Sequence, residues 1–290
     1  MTATTPRAIQ VARHYLELVK FSHTIFALPF ALAAMLVAAH GLPSARIFVW
    51  IIVAMVGART AAMGFNRIVD REIDARNPRT AKRELPAGAV SLKGAIGLVV
   101  VASILFFVAA WQINTLALWL SPLTLLALFF YSFCKRFTSL SHFVLGLCLG
   151  IAPVGAWVAV TGKIEWAPCV LCAAIIAWVA GFDIIYATMD VEFDRQTGLN
   201  SMVTKLGIAR ALTLARALHL AFLGLLIWFG ALTGLGAIYY GAVALIGGFI
   251  VYEHVLVKPD DLRRVNAAFF TMNGAISVFF LVSIALSVWF

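Results

Sequence analysis

Charge is what this chain has least of. Only 12% of its 290 residues are Asp, Glu, Lys or Arg, against about a quarter in soluble domains. So few charges cannot cover a water-facing surface. With 63% hydrophobic residues and a mean hydropathy of +0.98, a soluble globular protein is excluded. Alternation of apolar and polar residues is also missing, which excludes a membrane β-barrel. The apolar runs are instead continuous over about 20 residues, the length of a membrane-crossing helix. Cysteine is scarce, at four residues, and gives no disulfide framework. Cys169 and Cys172 form a C-x-x-C inside an apolar run with no histidine beside it, which reads as packing rather than as a metal or redox site. A cleavable leader is not expected, because Met1–Lys20 is polar and basic and no small-residue cleavage site follows it. The net charge of +9 comes from basic residues in loops and segment ends. It therefore sets orientation in a membrane and does not point to nucleic acid.

What is there is an all-α, polytopic membrane protein with a central cavity. An amphipathic approach over residues 1–20 carries Arg7, Arg13, His14, Glu17 and Lys20. Nine spans are expected, at about 22–40, 46–66, 93–111, 115–131, 139–160, 167–189, 211–230, 235–254 and 267–289. They form a single transmembrane domain, residues 1–290, built from two internally similar helical halves. Lys and Arg collect at the N-terminus and in the loops after spans two, four, six and eight, while the opposite loops hold little beyond Arg46 and Lys163. The positive-inside rule places that basic face in the cytoplasm, with a bacterial inner or plasma membrane as the expected setting.

The acidic residues are not spread out. Of 13, eight lie at Asp70, Glu72, Asp74, Glu84, Asp183, Asp190, Glu192 and Asp194. Asn66, Asp70 and Asp74 recur at four-residue spacing, which puts them on one helical face. Asp190 and Asp194 repeat that spacing 120 residues later (190 − 70 = 120). Each set ends a hydrophobic span and leads into a polar loop with Arg or Lys. Solvated loop carboxylates have no reason to concentrate at matching places. Stacked carboxylates and an amide need a cation, and Mg²⁺ is the natural one, because it takes oxygen ligands and commonly holds phosphates as well. Asn66, Asp70, Asp74, Asp190 and Asp194 are accordingly the expected ligands. Arg79, Lys82, Arg83, Lys135, Arg136 and Lys205 are available to a diphosphate, and each serves equally well as a lipid-headgroup contact. Arg59 and Asp183 stand seven residues before Asn66 and Asp190, two turns deeper in their spans, where ionisable groups are functional candidates. The bland alternative is that they pair with each other.

These motifs resemble the UbiA family of intramembrane prenyltransferases, over nearly the whole chain. The resemblance rests on N-x-x-x-D-x-x-x-D at Asn66, Asp70 and Asp74, and on D-x-x-x-D at Asp190 and Asp194. Y-x-x-x-K occurs at Tyr131 and Lys135, and T-x-x-R-x-L-P-x-G at Thr80, Arg83, Leu85, Pro86 and Gly88. One position departs: many aromatic-acid members carry Asp directly after the Asn, where this chain has Arg67. The resemblance implies Mg²⁺-dependent transfer of a polyprenyl group from its diphosphate to an aromatic acid, as in ubiquinone or menaquinone biosynthesis, at a site on the cytoplasmic face. It implies catalytic roles for Asp70, Asp74, Asp190, Asp194 and Asp183. Asn66, Arg59, Arg83, Tyr131, Lys135, Lys20, Arg79, Tyr186 and Lys205 are the implied substrate contacts. Arg59 would bind the acceptor carboxylate, and Asp183 would orient the acceptor hydroxyl or take its proton. Lys20 and His23, at the start of span one, could reach the site or anchor on headgroups. His142, His219 and His254 read as polar contacts at span ends. Partners are then polyprenyl diphosphate, the aromatic acid and membrane lipid. A naphthoate acceptor is an open alternative, and a transporter is the rival of another class.

Overall fold

A computed structural model of the chain describes residues 7–20 and 26–290, with backbone alone at 7–12, 267 and 268. Fourteen helices follow in order among the described residues. They are α1 (Arg7–Leu18), α2 (Leu28–Ala39), α3 (Ala45–Val69), α4 (Arg71–Arg76), α5 (Leu92–Ile113), α6 (Thr115–Cys134) and α7 (Ser141–Thr161). Then come α8 (Trp166–Ala187), α9 (Val191–Thr197), α10 (Met202–Leu206), α11 (Ile208–Thr233), α12 (Ala237–Leu256), α13 (Val265–Ala267) and α14 (Asn273–Trp289). A 3₁₀ turn (Thr188–Asp190) joins α8 to α9, and a π-helical turn (Ala268–Met272) leads into α14.

Eight of these helices are long and apolar enough to cross a membrane, and α2 is a shorter apolar helix. Nine expected spans thus become eight long ones plus α2. The expected start of span one, together with His23, lies outside the described residues. Local chemistry sets the ends. Ser44, Ser91 and Asn114 cap α3, α5 and α6 by accepting from Ile47, Gly94 and Ala117 backbone N–H groups. Gly162 and Gly234 end α7 and α11 at φ of 68°, in the left-handed region that suits glycine. Trp111, Trp119, Trp166 and Trp289 are exposed at helix ends on the face opposite the basic loops, as in an interfacial aromatic belt.

Helix α8 is the centre of the bundle, flanked by α7 and α11. Most of its length is buried, including Trp178, Ile184 and Ile185. Two glycines one turn apart explain how closely α7 approaches it. A Cβ at Gly146 would sit 2.7 Å from the Ile176 Cα, and one at Gly150 would sit 2.9 Å from the Cys172 carbonyl oxygen. Small residues are what let backbones close in where lipid supplies no hydrophobic drive. Around α8 the aromatic core packs Trp178 against Phe30, Phe182 and Phe222 at ring separations of 5.0, 5.0 and 5.9 Å.

A fully buried polar chain runs through the same region. Trp178 Nε1 donates to Asn273 Oδ1 at 2.8 Å, and Asn273 Nδ2 donates to Glu253 Oε1 at 2.8 Å. His219 pairs with His254 at 3.0 Å and reaches the Trp178 carbonyl at 3.2 Å. His219 is therefore a core residue between α8, α11 and α12, not an end-of-span contact. A polar group in such surroundings is tolerated only when partnered.

Candidate active site

Both acidic sets sit where a long span breaks into a short helix. Asp70 ends α3 and opens α4 with φ −90° and ψ 2°. Asp190 ends the turn after α8 and opens α9 with φ −106° and ψ 3°. The stretch expected as a loop from residue 67 is thus helical to Arg76, with a bend at Asp70. The backbone bonds Asp70 N→Asn66 O (2.9 Å) and Asp74 N→Asp70 O (2.8 Å) carry the ladder through that bend. Asn66 Nδ2 then donates to Asp70 Oδ2 at 3.2 Å.

Each of three carboxylates is taken by basic side chains from elsewhere. Asp70 is 3% exposed and accepts from Lys135 Nζ at 2.6 Å and from Arg136 Nη2 at 3.1 Å. Asp74, 4% exposed, accepts from Arg83 Nη1 on both oxygens at 2.7 and 2.8 Å. Asp190 pairs with Arg79, whose Nε lies 2.8 Å from Oδ1, and Asn77 Nδ2 lies 3.4 Å from the same oxygen. Arg79 also donates to the Tyr186 hydroxyl at 2.9 Å, with its guanidinium 5.3 Å above that ring. Burial alone would lower the Arg79 pKa; the Asp190 hydrogen bond and charge outweigh it and hold the group above the ordinary arginine value.

These pairs bring the two halves of the chain to one rim. The loop after α4 grips Asp190 of the second half. The end of α6 grips Asp70, and the Lys135 carbonyl accepts from Asn200 N–H at 2.8 Å. Asp194 is half-buried on α9 beside Asp190, within the field of Lys135 and Arg79. Among the described residues no three His, Cys, Asp or Glu side chains converge closely enough to hold a metal. Asp70, Asp74 and Asp190 each face a cation instead. Lys205 is exposed on α10, in a polar recess with Thr138, Asn200 and Thr204, and among the described residues it forms no ion pair with the aspartates.

Beneath the rim lies an apolar cavity of about 430 Å³, bounded by α3, α5, α6 and α7. Its wall on α3 runs from Ile51 to Asn66, about 22 Å at 1.5 Å per residue. Ala54, Ala58 and Ala62 stand one turn apart on that wall, Arg59 supplies a polar group at its middle, and Asn66 and Tyr131 supply polar groups nearer the rim. Arg59 and Asp183 do not pair with each other. Arg59 Nη2 donates to the Lys20 carbonyl at 3.0 Å, and its Nε is buried with no partner among the described residues. Asp183 Oδ2 lies 2.7 Å from His142 Nδ1. Lys20 therefore reaches Arg59 through its backbone, held at φ 47°. Arg67, the departure from the expected motif, is 5% exposed and points away from the cavity. Its Nε donates to the Leu18 carbonyl at 3.3 Å, and its Nη1 is 3.9 Å from Asp74.

Sequence spacing missed Asn77 and Ser132, whose hydroxyl lies 3.4 Å from Asn66 Nδ2, and it missed the partner of His142. No periodicity links any of them to the residues they touch.

A bundle of membrane-crossing helices, with one charged rim above one apolar cavity, defines a multi-pass membrane protein built to hold a molecule with a polar head and an apolar tail. Comparison with known proteins sharpens that class. A model of the UbiA prenyltransferase family matches residues 27–284. A 4-hydroxybenzoate octaprenyltransferase of Vibrio cholerae serotype O1 is 32% identical over 281 residues, covering 96% of this chain and 98% of its own. One from Serratia proteamaculans is 31% identical over 282 residues, covering 97% and 96%. The apo structure of a UbiA homolog from Aeropyrum pernix K1 superposes with a TM-score of 0.83 at 38% identity, over 91% of this chain and 98% of that one. A UbiA homolog from Archaeoglobus fulgidus, bound to DMAPP and Mg²⁺, shares the fold with a TM-score of 0.72 at 19% identity, over 95% and 99% of the two chains. The chain belongs to the UbiA prenyltransferase family, and it is a membrane prenyltransferase.

Proposed function

We propose that this protein transfers a polyprenyl group from a polyprenyl diphosphate to an aromatic acid of the 4-hydroxybenzoate kind, in quinone biosynthesis, at the cytoplasmic face of a bacterial plasma membrane. The observation that carries the reading is the continuity of the cavity. One end is walled by alanines and leucines; the other meets Arg59, Tyr131 and Asn66 below the aspartates. A prenyl tail suits the first end, a diphosphate the rim, and an acid the guanidinium between them. The named activity of the Vibrio and Serratia relatives supports the same choice.

The rim residues fit Mg²⁺ in kind. Asp70, Asp74, Asp190 and Asp194 with Asn66 offer oxygen donors only, two of the carboxylates are deeply buried, and the three that are paired face exchangeable cations. Bound there, the metal would take up charge on the departing pyrophosphate. Lys135, Arg136, Arg79 and Arg83 are the donors that can pass from carboxylate to phosphate oxygen as the diphosphate arrives. Arg59 binds the acceptor carboxylate with the Nε that has no partner of its own. Asp183 accepts from the acceptor hydroxyl, which raises electron density on the ring that attacks the allylic carbon. The apolar walls keep water from that carbon. Because Arg67 faces Leu18 and Asp74, its presence after Asn66 leaves the acceptor end of the cavity unchanged. The two similar halves of the single domain follow the repeated break at Asp70 and Asp190.

The test is turnover of the purified enzyme with Mg²⁺, a labelled polyprenyl diphosphate and a panel of hydroxybenzoates and naphthoates. Label transfer to 4-hydroxybenzoate supports the reading. Transfer confined to naphthoates moves the acceptor, and flux across proteoliposomes without turnover overturns it.

A further inference from the structure

We propose that His142 is a positioning residue that fixes the Asp183 carboxylate for the acceptor. The inference rests on the role given to Asp183 above. His142 lies in the first turn of α7 and is 3% exposed. Its two ring nitrogens have two different partners. Nδ1 is 2.7 Å from Asp183 Oδ2 on α8, and Nε2 is 3.2 Å from the Met202 backbone nitrogen at the start of α10.

The partners dictate the tautomer. A backbone N–H can only donate, so Nε2 must present its lone pair to Met202. The ring proton is then on Nδ1, and the bond to Asp183 runs from imidazole N–H to carboxylate oxygen. Neutral imidazole satisfies both contacts; a doubly protonated ring would turn one N–H against another. His142 thus serves as a fixed donor, and no proton needs to move through it.

The grip is one-sided. The His142 side chain is 4% exposed, whereas that of Asp183 is 21% exposed. The carboxylate is held on its buried side and keeps an edge toward open space. The ring is itself held from behind. Met202 opens α10, where Ser201 and Thr204 cap each other reciprocally. Three elements, α7, α8 and α10, therefore meet on one imidazole, so the second polar loop helps set the angle at which Asp183 meets the acceptor hydroxyl. An orienting partner of this kind commonly matters 10–100-fold to the group it holds.

The test uses full-length enzyme with His142→Gln, His142→Asn, His142→Leu and Asp183→Asn, assayed for kcat and for both KM values, with thermal unfolding as the folding control. The glutamine amide can donate and accept at once and so can replace both contacts; the asparagine amide nitrogen stands where Nδ1 stands and keeps the Asp183 donor, but it is too short to reach Met202. We expect Leu to lower kcat with acceptor by roughly 10–100-fold and Asn to fall between Leu and Gln, with the donor KM within about twofold. Gln should recover most of kcat. If His142→Leu does not fold, the Gln–Asn contrast decides. Wild-type kcat in the Leu and Asn variants, with Asp183→Asn impaired, overturns the inference and leaves Asp183 in place. Equal losses in Gln, Asn and Leu, with the donor KM rising alongside, overturn it in favour of a purely structural histidine. Wild-type turnover in Asp183→Asn removes the underlying reading of Asp183 itself.

Discussion

Replacing Arg59 by alanine should separate the two substrates and leave the fold nearly untouched. Arg59 spends one donor on the Lys20 carbonyl and leaves Nε buried with no partner among the described residues. In the substrate-free protein these two terms oppose each other. The lost charged hydrogen bond costs about 1.5–3 kcal/mol, and relief of an unsatisfied buried donor returns about 1–3 kcal/mol. The net should lie near zero, so the melting temperature should move by no more than a few degrees. With acceptor bound the balance changes, because the carboxylate loses its only proposed cationic partner. Truncating one side of a buried charge pair costs about 2–5 kcal/mol. Arg59 is only half-buried, so about 3 kcal/mol is the fitting value, and at 1.4 kcal/mol per decade the acceptor KM rises roughly a hundredfold. Arg59→Lys keeps the charge but not the planar fork, and should fall between, at about tenfold. Steady-state kinetics with each substrate varied in turn would read this. An unchanged acceptor KM with a raised donor KM would refute the reasoning.

Chelation of divalent metal should abolish turnover, and Mg²⁺ should restore it; full activity in excess EDTA would remove metal from the rim. Ala58→Phe places a ring in the middle of the α3 wall, so the KM for a long polyprenyl diphosphate should rise well above that for a short allylic one; equal effects on both would mean that the tail lies elsewhere. Gly146→Ala forces a Cβ to within 2.8 Å of the Ile176 carbonyl oxygen, and should destabilise by about 1–3 kcal/mol, read as a lowered melting temperature in detergent.

The spans were legible because lipid leaves the sequence little freedom. Continuous apolar runs, the basic loops and the turn residues located α3 and α5–α8 to within about three residues at each end. Four-residue spacing likewise revealed that Asn66 and Asp70 touch. Spacing carries no information about partners from other elements, however. It could not say that Lys135 and Arg136 would take Asp70, or that Arg79 would take Asp190. It did not show that Lys20 acts through its carbonyl, or that His142 would find Asp183 across 41 residues. The bend at Asp70 escaped for a related reason: it depends on how the bundle closes rather than on local propensity. His142 and His254 do stand at span ends, but His219, expected there too, is an interior link in the middle of α11, since hydropathy alone does not say which polar residue the bundle will bury.

The π-helical turn at Ala268–Met272 has a consequence for how the last helix tolerates change. Such a turn carries one residue more than an α-helix of the same rise. Excising a single residue there should close the turn to an ordinary α-helix and leave Asn273 on Trp178 and Glu253, whereas excising one in the regular helix that follows should swing everything beyond it by about 100°. Phe280, now stacked on Phe30 at 4.7 Å, would then turn toward the lipid. The extra residue of the π turn is thus slack that the bundle can lose, and a single deletion should be far better tolerated there than between Asn273 and Phe280.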